Sequence, residues 1–196
     1  DITWLPEHSR ARYIGRVFQD PMMGTAATMQ IDENLALAAR RGLRRFLRPG
    51  ITGKEHEHYV ALLKSLDLGL EGRLTSKVGL LSGGQRQAIT LLMASLKKPD
   101  LLLLDEHTAA LDPKTAKKVL ELSDQIIQEN HLTALMVTHN MRDAIAHGNR
   151  LIMMSEGKII YDVSGEEKKK LRVADLLRKF EEAGSSDAVN DRLVLS

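Results

Sequence analysis

The chain has no cysteine among its 196 residues. Disulfide frameworks and thiolate chemistry are therefore excluded, and the composition suits a reducing compartment. No apolar run approaches the ~18 residues of a membrane span. The longest candidates, Leu101–Leu104 and Leu151–Met154, are only strand-sized. No secretory signal peptide is visible, and no internal repeat stands out. Neither sign of charge prevails: 28 Lys and Arg face 26 Asp and Glu, for a formal charge of +2. That balance argues against a dedicated nucleic-acid surface, and no nucleic-acid partner is expected. Apolar residues at 43% and charged residues at 28% are ordinary globular composition. The length suffices for one domain with a core.

Against these absences one stretch stands out, Leu81-Ser82-Gly83-Gly84-Gln85-Arg86-Gln87. Ser82 is a good N-cap. Ala88, Leu91, Leu92 and Leu96 recur at three- and four-residue spacing, which predicts a helix closed by Lys97, Lys98 and Pro99. The paired glycines let another group approach the backbone closely. Free N–H groups and the positive end of the helix dipole then face that group, so the stretch reads as an anion site, with phosphate as the anion.

Upstream, Tyr13–Gln19 predicts a strand stopped by Asp20-Pro21. Pro21–Met29 is an apolar linker without period, either a loop folded on the core or a partner-contact loop. Asp32 is placed to cap a helix through Asn34–Arg45. The arginines between Arg40 and Arg48 suggest a solvated face. After a turn at Pro49–Gly53, Glu55–Leu66 reads as an amphipathic helix whose His56 and His58 cannot share a face. Leu68–Val78 is a polar connector leading back to the glycine stretch.

Downstream, Leu101–Leu104 predicts a strand buried on both faces, followed at once by Asp105 and Glu106. Unpaired charges are costly to bury. The carboxylates therefore belong at the carboxyl edge of the strand, where parallel α/β sheets bind ligands. Asp112-Pro113 starts a helix. Thr133–Thr138 predicts the next buried strand, ending at His139, and Met141–Ala146 a short helix closed by Gly148. Leu151–Met154 and Ile159–Val163 form a hairpin about a four-residue loop, Ser155–Lys158. Val173–Phe180 predicts a last helix, and Gly184–Ser196 looks frayed or disordered. Together this is an α/β sheet with a helical insertion.

These residues resemble a known family. Leu81–Gln85 matches the LSGGQ signature of ATP-binding-cassette ATPases. Leu101–Glu106 resembles their Walker B strand, Ala110-Leu111-Asp112 their D-loop, His139 their switch histidine and Gln19 their Q-loop glutamine. The order along the chain is also theirs, from about Tyr13 to Val163. The resemblance implies a P-loop-NTPase-like parallel sheet with an inserted helical subdomain. It implies ATP and Mg²⁺, with Asp105 and Gln19 at the metal, Gln19 also reaching the attacking water, Glu106 polarising that water, and His139 at the γ-phosphate or ordering the water. Ser82, Gly83, Gly84, Gln85 and Asp112 would contact nucleotide. A lone strand-end histidine, or a glutamine such as Gln19 at a surface strand end, would carry no function without this company.

Some positions depart from the pattern. His107 stands where the family usually has proline, and Ala109 where it usually has serine, so a hydroxyl contact across the dimer is in doubt. No G-x-x-x-x-G-K-[ST] phosphate loop occurs. In the family it precedes the Q-loop, and here the chain opens on Asp1, which suggests an N-terminally truncated cassette that does not hydrolyse ATP alone. The expected division is 1–20 as a remnant of the catalytic core, 21–98 as the helical subdomain, 99–163 as the rest of the core, and 164–196 as a C-terminal helix and tail.

The expected function is the ATPase subunit of a transporter that imports a small solute. The wording of Phe18–Met23, Asp105–Pro113 and Gly157–Lys170 is similar to bacterial-type amino-acid importers. Implied partners are a second cassette, an integral membrane permease and a solute-binding protein, with the subunit on the cytoplasmic, inner face of the membrane. The alternatives are a soluble cassette ATPase of translation and a non-catalytic fragment.

Overall fold

The computed structural model describes residues 1–43 and 50–194, with side chains to residue 183. It separates into two units, Asp1–Val137 and Thr138–Ser196.

The first unit is built on a three-stranded parallel sheet in the order β1 (Ile14–Val17), β2 (Leu101–Asp105), β3 (Ala134–Val137). Ile14 pairs with Leu101 and Val17 with Leu104; Leu102 pairs with Ala134 and Asp105 with Val137. The helices of this unit are α1 (Glu7–Arg10), α2 (Ile31–Ala39), α3 (Gly53–Ser65), α4 (Gly83–Ser95) and the longer α5 (Pro113–Asn130). The α/β class with a helical block between the first two strands is as the sequence implies.

The central element is α4, the glycine-stretch helix. Ala88, Ile89 and Leu91 are wholly buried, and so is the polar Gln87. The narrow apolar stripe read from the sequence thus understates its burial, because neighbours cover it on several sides. On one side β1 lies so close that a Cβ at Gly15 would stand 2.5 Å from the Ala94 carbonyl. On another it packs on α5. The core gathers Val17, Leu35, Leu63, Leu70, Leu102 and Leu104 around it.

Several expectations need correcting. The strand expected at Tyr13–Gln19 is shorter, at Ile14–Val17. The first long helix starts at Ile31 with Gln30, not Asp32, at its N-cap. The Glu33 carboxylate turns back to accept the Gln30 N–H at 2.7 Å, which sets the boundary. Asp32 lies inside the first turn, where its carboxylate accepts the Glu33 N–H at 2.8 Å. The helix ends at Ala39, and Arg44, Arg45, Arg48 and Pro49 of the expected arginine run and turn lie outside the described residues. The two described arginines are not simply solvated: Arg40 pairs with Glu55 at 2.8 Å, and Arg41 donates to the Ala94 carbonyl at 3.1 Å. The next helix begins two residues earlier than expected, at Gly53, because Thr52 and Glu55 form a capping box.

Neither β2 nor β3 is buried on both faces. On β2, Leu102 and Leu104 face the core, while Leu101, Leu103 and Asp105 are only half covered. On β3, Leu135 and Val137 are about half exposed. An apolar run marks a strand that covers well, but burial on both faces needs a layer on each side, which a run cannot report.

The second unit contains α6 (Met141–Ala146), the antiparallel hairpin β4 (Arg150–Ser155) and β5 (Lys158–Ser164), α7 (Gly165–Lys169) and α8 (Val173–Val194). Its own core is Leu151, Val163 and Leu176. Ser155 pairs with Lys158, so the hairpin loop has two residues rather than four. Glu156 and Gly157 both take positive φ, 48° and 76°, which closes a tight primed turn matched to the strand twist. The last helix continues to Val194, into the stretch Gly184–Ser196 expected to fray. Gly184 does not stop it, since one glycine inside a helix costs only about 1 kcal/mol.

Candidate functional site

Asp105 is the last residue of β2, and Glu106 follows it directly, so both carboxylates stand at the carboxyl edge of the parallel sheet. Leu102 and Leu104 bury one face of the strand, and the alternation turns Asp105 to the other. There Asp105 Oδ2 accepts from Arg16 Nη2 at 2.9 Å. Arg16, on the adjacent β1, also stacks its guanidinium 4.5 Å from the centre of the Phe18 ring. Both partners of the pair are about half exposed. Such a pair is worth only about 0–1 kcal/mol, too little to hold Asp105 against a divalent cation.

Glu106 has φ 43°, in the left-handed region. For a residue with a Cβ that costs on the order of 1 kcal/mol or more. Its N–H donates to the Val137 carbonyl and its own carbonyl accepts the Ala109 N–H, both at 3.0 Å. The backbone is thus held on both sides at the point where β2 leaves the sheet.

Gln19 lies two residues beyond the end of β1 and is exposed. The peptide before it is anchored: Gln87 Nε2, from the buried face of α4, donates to the Phe18 carbonyl at 3.2 Å. The Oε1 of Gln87 is buried without a partner. Gln87 is the residue that sequence reasoning passed over. It ties the glycine-stretch helix to the Gln19 segment, a contact between positions 69 apart that no local pattern could show. Beyond Gln19, Pro21–Met29 is clamped by Asn34, which accepts the Ala26 N–H at 2.8 Å and donates to the Ala26 and Gln30 carbonyls. Met22 and Met23 remain exposed.

At the start of α4, Ser82 caps the helix and Gln85 completes the capping box. Gln85 Nε2 also donates to the Leu68 carbonyl at 3.2 Å, so its side chain is engaged within the chain. The two glycines differ. Gly83 is exposed, and a Cβ there would make an ordinary 3.4 Å contact with Leu111. Gly84 is buried, and a Cβ there would stand 2.0 Å from the Thr115 methyl of α5. Ser82 and Gly83 are exposed, and Gln85 is half-buried. Asp112 caps α5, accepting the Thr115 N–H at 3.1 Å. Hydrogen bonds from the Thr115 side chain and then its backbone hold the Asp112 carboxyl below its ordinary pKa. The structure thus brings the glycine stretch, Leu111 and the Asp112 cap together.

His139 lies in the second unit, exposed in the turn before α6. Next to it, Asn140 caps α6 through bonds to the Arg142 and Asp143 N–H groups.

Asp105 and Gln19 offer oxygen donors from the ends of neighbouring strands, a set suited to Mg²⁺. Among the described residues no three His, Asp or Glu side chains gather as a metal site. A cation here would therefore take its remaining ligands from water or phosphate oxygens, as Mg²⁺ commonly does.

A profile of the ABC transporter family matches residues 2–109. The chain belongs to the ABC transporter family. It is 48% identical over 186 residues to a tyrosine transport ATP-binding protein of Clostridioides difficile, covering 93% of this chain and 72% of that protein. It is 34% identical over 152 residues to a phosphonates import ATP-binding protein of Alcaligenes faecalis, covering 77% of this chain and 54% of the relative. Among solved structures it resembles a dimeric ATP-binding cassette in a post-hydrolysis state bound to ADP and Pi. That match has TM-score 0.64 and 28% identity, over 80% of this chain and 65% of the cassette. The ABC fold, with its parallel sheet, is therefore shared with these cassettes.

Proposed function

We propose that this chain is part of the ATP-hydrolysing subunit of an ABC importer for a small solute, with an amino acid as the cargo class. The observation that carries the reading is the Asp105–Glu106 pair at the carboxyl edge of β2, with Glu106 held in a left-handed turn. The 48% identity to the tyrosine transport protein supports the choice of cargo.

In this reading Asp105 and Gln19 hold Mg²⁺, which supplies charge neutralisation at the phosphate oxygens when bound. The Glu106 carboxylate orients the attacking water and takes its proton. His139 hydrogen-bonds the γ-phosphate. Ser82 and Gly83, at the positive end of α4, cover the phosphate held by a second cassette, and Asp112 lies at the same contact. Gly84 and Gln85 support that surface from within. Two cassettes pair head to tail; the pairing itself is in line with the dimeric cassettes among the solved structures. The permease docks on Pro21–Met29 and α2, where Met22, Met23 and Leu37 are exposed around an anchored loop. A solute-binding protein completes the system, and the subunit sits on the inner face of the membrane through the permease. No helix among the described residues is long and apolar enough to cross a membrane.

The test is ATP turnover by the complete cassette, wild type against Glu106→Gln. Turnover is expected to fall by at least about a hundredfold with ATP still bound. Equal rates would remove Glu106 from the reading.

A further inference from the structure

His107 stands beside Glu106 and has no role in the chemistry above. It is only 2% exposed. Its Nε2 lies 3.0 Å from Ser123 Oγ, on the face of α5 turned toward the loop. Ser123 Oγ donates its own proton to the Val119 carbonyl at 2.8 Å. A hydroxyl has a single proton. With that proton directed to Val119, the hydroxyl accepts toward His107 and the imidazole donates from Nε2, the tautomer this arrangement calls for. The bond has a defined direction and fixes the ring.

The backbone beside it needs such an anchor. Glu106 sits at φ 43°. A conformation of that kind persists only where the surroundings over-determine it. Two backbone bonds, to Val137 and from Ala109, hold the peptide groups on either side of Glu106. A further turn bond, from the Leu111 N–H to the Thr108 carbonyl at 3.1 Å, carries the loop on toward the Asp112 cap of α5, but none of these bonds ties the loop to the body of that helix. The His107 side chain supplies that tie by running into the buried slot against Ser123. Packing alone would call for an apolar residue in the slot, since a buried imidazole is costly without its hydrogen bond.

We propose that His107 is a positioning residue for Glu106: its Nε2–H bond to Ser123 pins the loop to α5 and holds the Glu106 carboxylate where it meets the water. The proposal rests on Glu106 being the general base.

The experiment measures kcat and KM for ATP, with a thermal melt, on the complete cassette carrying His107→Ala, His107→Gln, Ser123→Ala or Glu106→Gln. A misplacement near an ångström costs up to about a hundredfold. His107→Ala and Ser123→Ala are therefore expected to lower kcat by about tenfold to a hundredfold, with KM for ATP within about twofold of wild type. A glutamine amide can present its N–H toward Ser123, so His107→Gln is expected to recover most of the loss. Wild-type kcat in the alanine variants, with only the melt lowered, would overturn the proposal. So would a glutamine variant as slow as alanine. If His107→Ala does not fold, Ser123→Ala decides alone. An inactive Glu106→Gln beside a fully active Ser123→Ala removes the role of His107 and leaves the base in place. An active Glu106→Gln removes the base itself.

Discussion

Gly83 and Gly84 are neighbours in sequence and opposites in use. A Cβ at Gly84 would stand 2.0 Å from the Thr115 methyl, closer than real Cβ contacts come, whereas at Gly83 the nearest atom is 3.4 Å away. Overpacking of a tight contact costs typically about 1–3 kcal/mol. Gly84→Ala is therefore expected to destabilise the fold by about that much in urea melts, read as a lower midpoint at unchanged slope. Gly83→Ala should leave the melt nearly unchanged. Equal shifts for both would contradict the division of labour between them. Residue pairs of this kind also show why Arg16 matters little to stability: its exposed bond to Asp105 neutralises a carboxylate without committing it.

Among the elements, α5 connects the most functions. Its N-cap is Asp112, its first turn carries Thr115 against Gly84, and further along Ser123 receives His107. The Asp112 carboxyl titrates below its ordinary value because the Thr115 side chain and backbone donate to it. A carboxylate with a lowered folded pKa stabilises at pH above the unfolded value. That contribution is lost as the pH falls through the folded pKa. Acid titration followed by circular dichroism is expected to show α5 weakening below the usual carboxylate range. Asp112→Asn, which still caps but does not ionise, should lose this part of the pH dependence. A variant with the wild-type acid profile would show that other groups carry it. At the same scale, capping chemistry marks where α3, α4 and α5 begin, and the residue pattern alone locates the last two caps at Ser82 and Asp112. It misplaces the start of α2, because Asp32 suits a cap by residue type and Gln30 does not, and the return of Glu33 to the Gln30 N–H sets the boundary.

At the scale of the molecule, the two units have separate cores of very different size. The first gathers its side chains around α4, while the second closes on Leu151, Val163 and Leu176. Local opening is easiest where few buried apolar contacts oppose it. Native-state hydrogen exchange is expected to find lower protection in β4 and β5 than in β1, β2 and α4. Uniform protection across both units would argue for a single cooperative body.

Short-range chemistry is written in the chain itself. The apolar run ending in Asp105-Glu106, the glycine stretch capped by Ser82 and the Asp112-Pro113 start of α5 are each set by residues within a few positions of one another. Local hydrogen bonds and side-chain periodicity decide such features. Packing decided the rest, since it depends on what lies opposite. Leu135 and Val137 look like core residues and are half exposed. Gln87 reaches the Phe18 carbonyl from 69 residues away, and His107 finds Ser123 across a loop. The difference between Gly83 and Gly84 exists only once α5 is beside them. The opening of α4 was legible as an anion site from its own residues. Which of its groups still faces outward was settled by the helix packed against it.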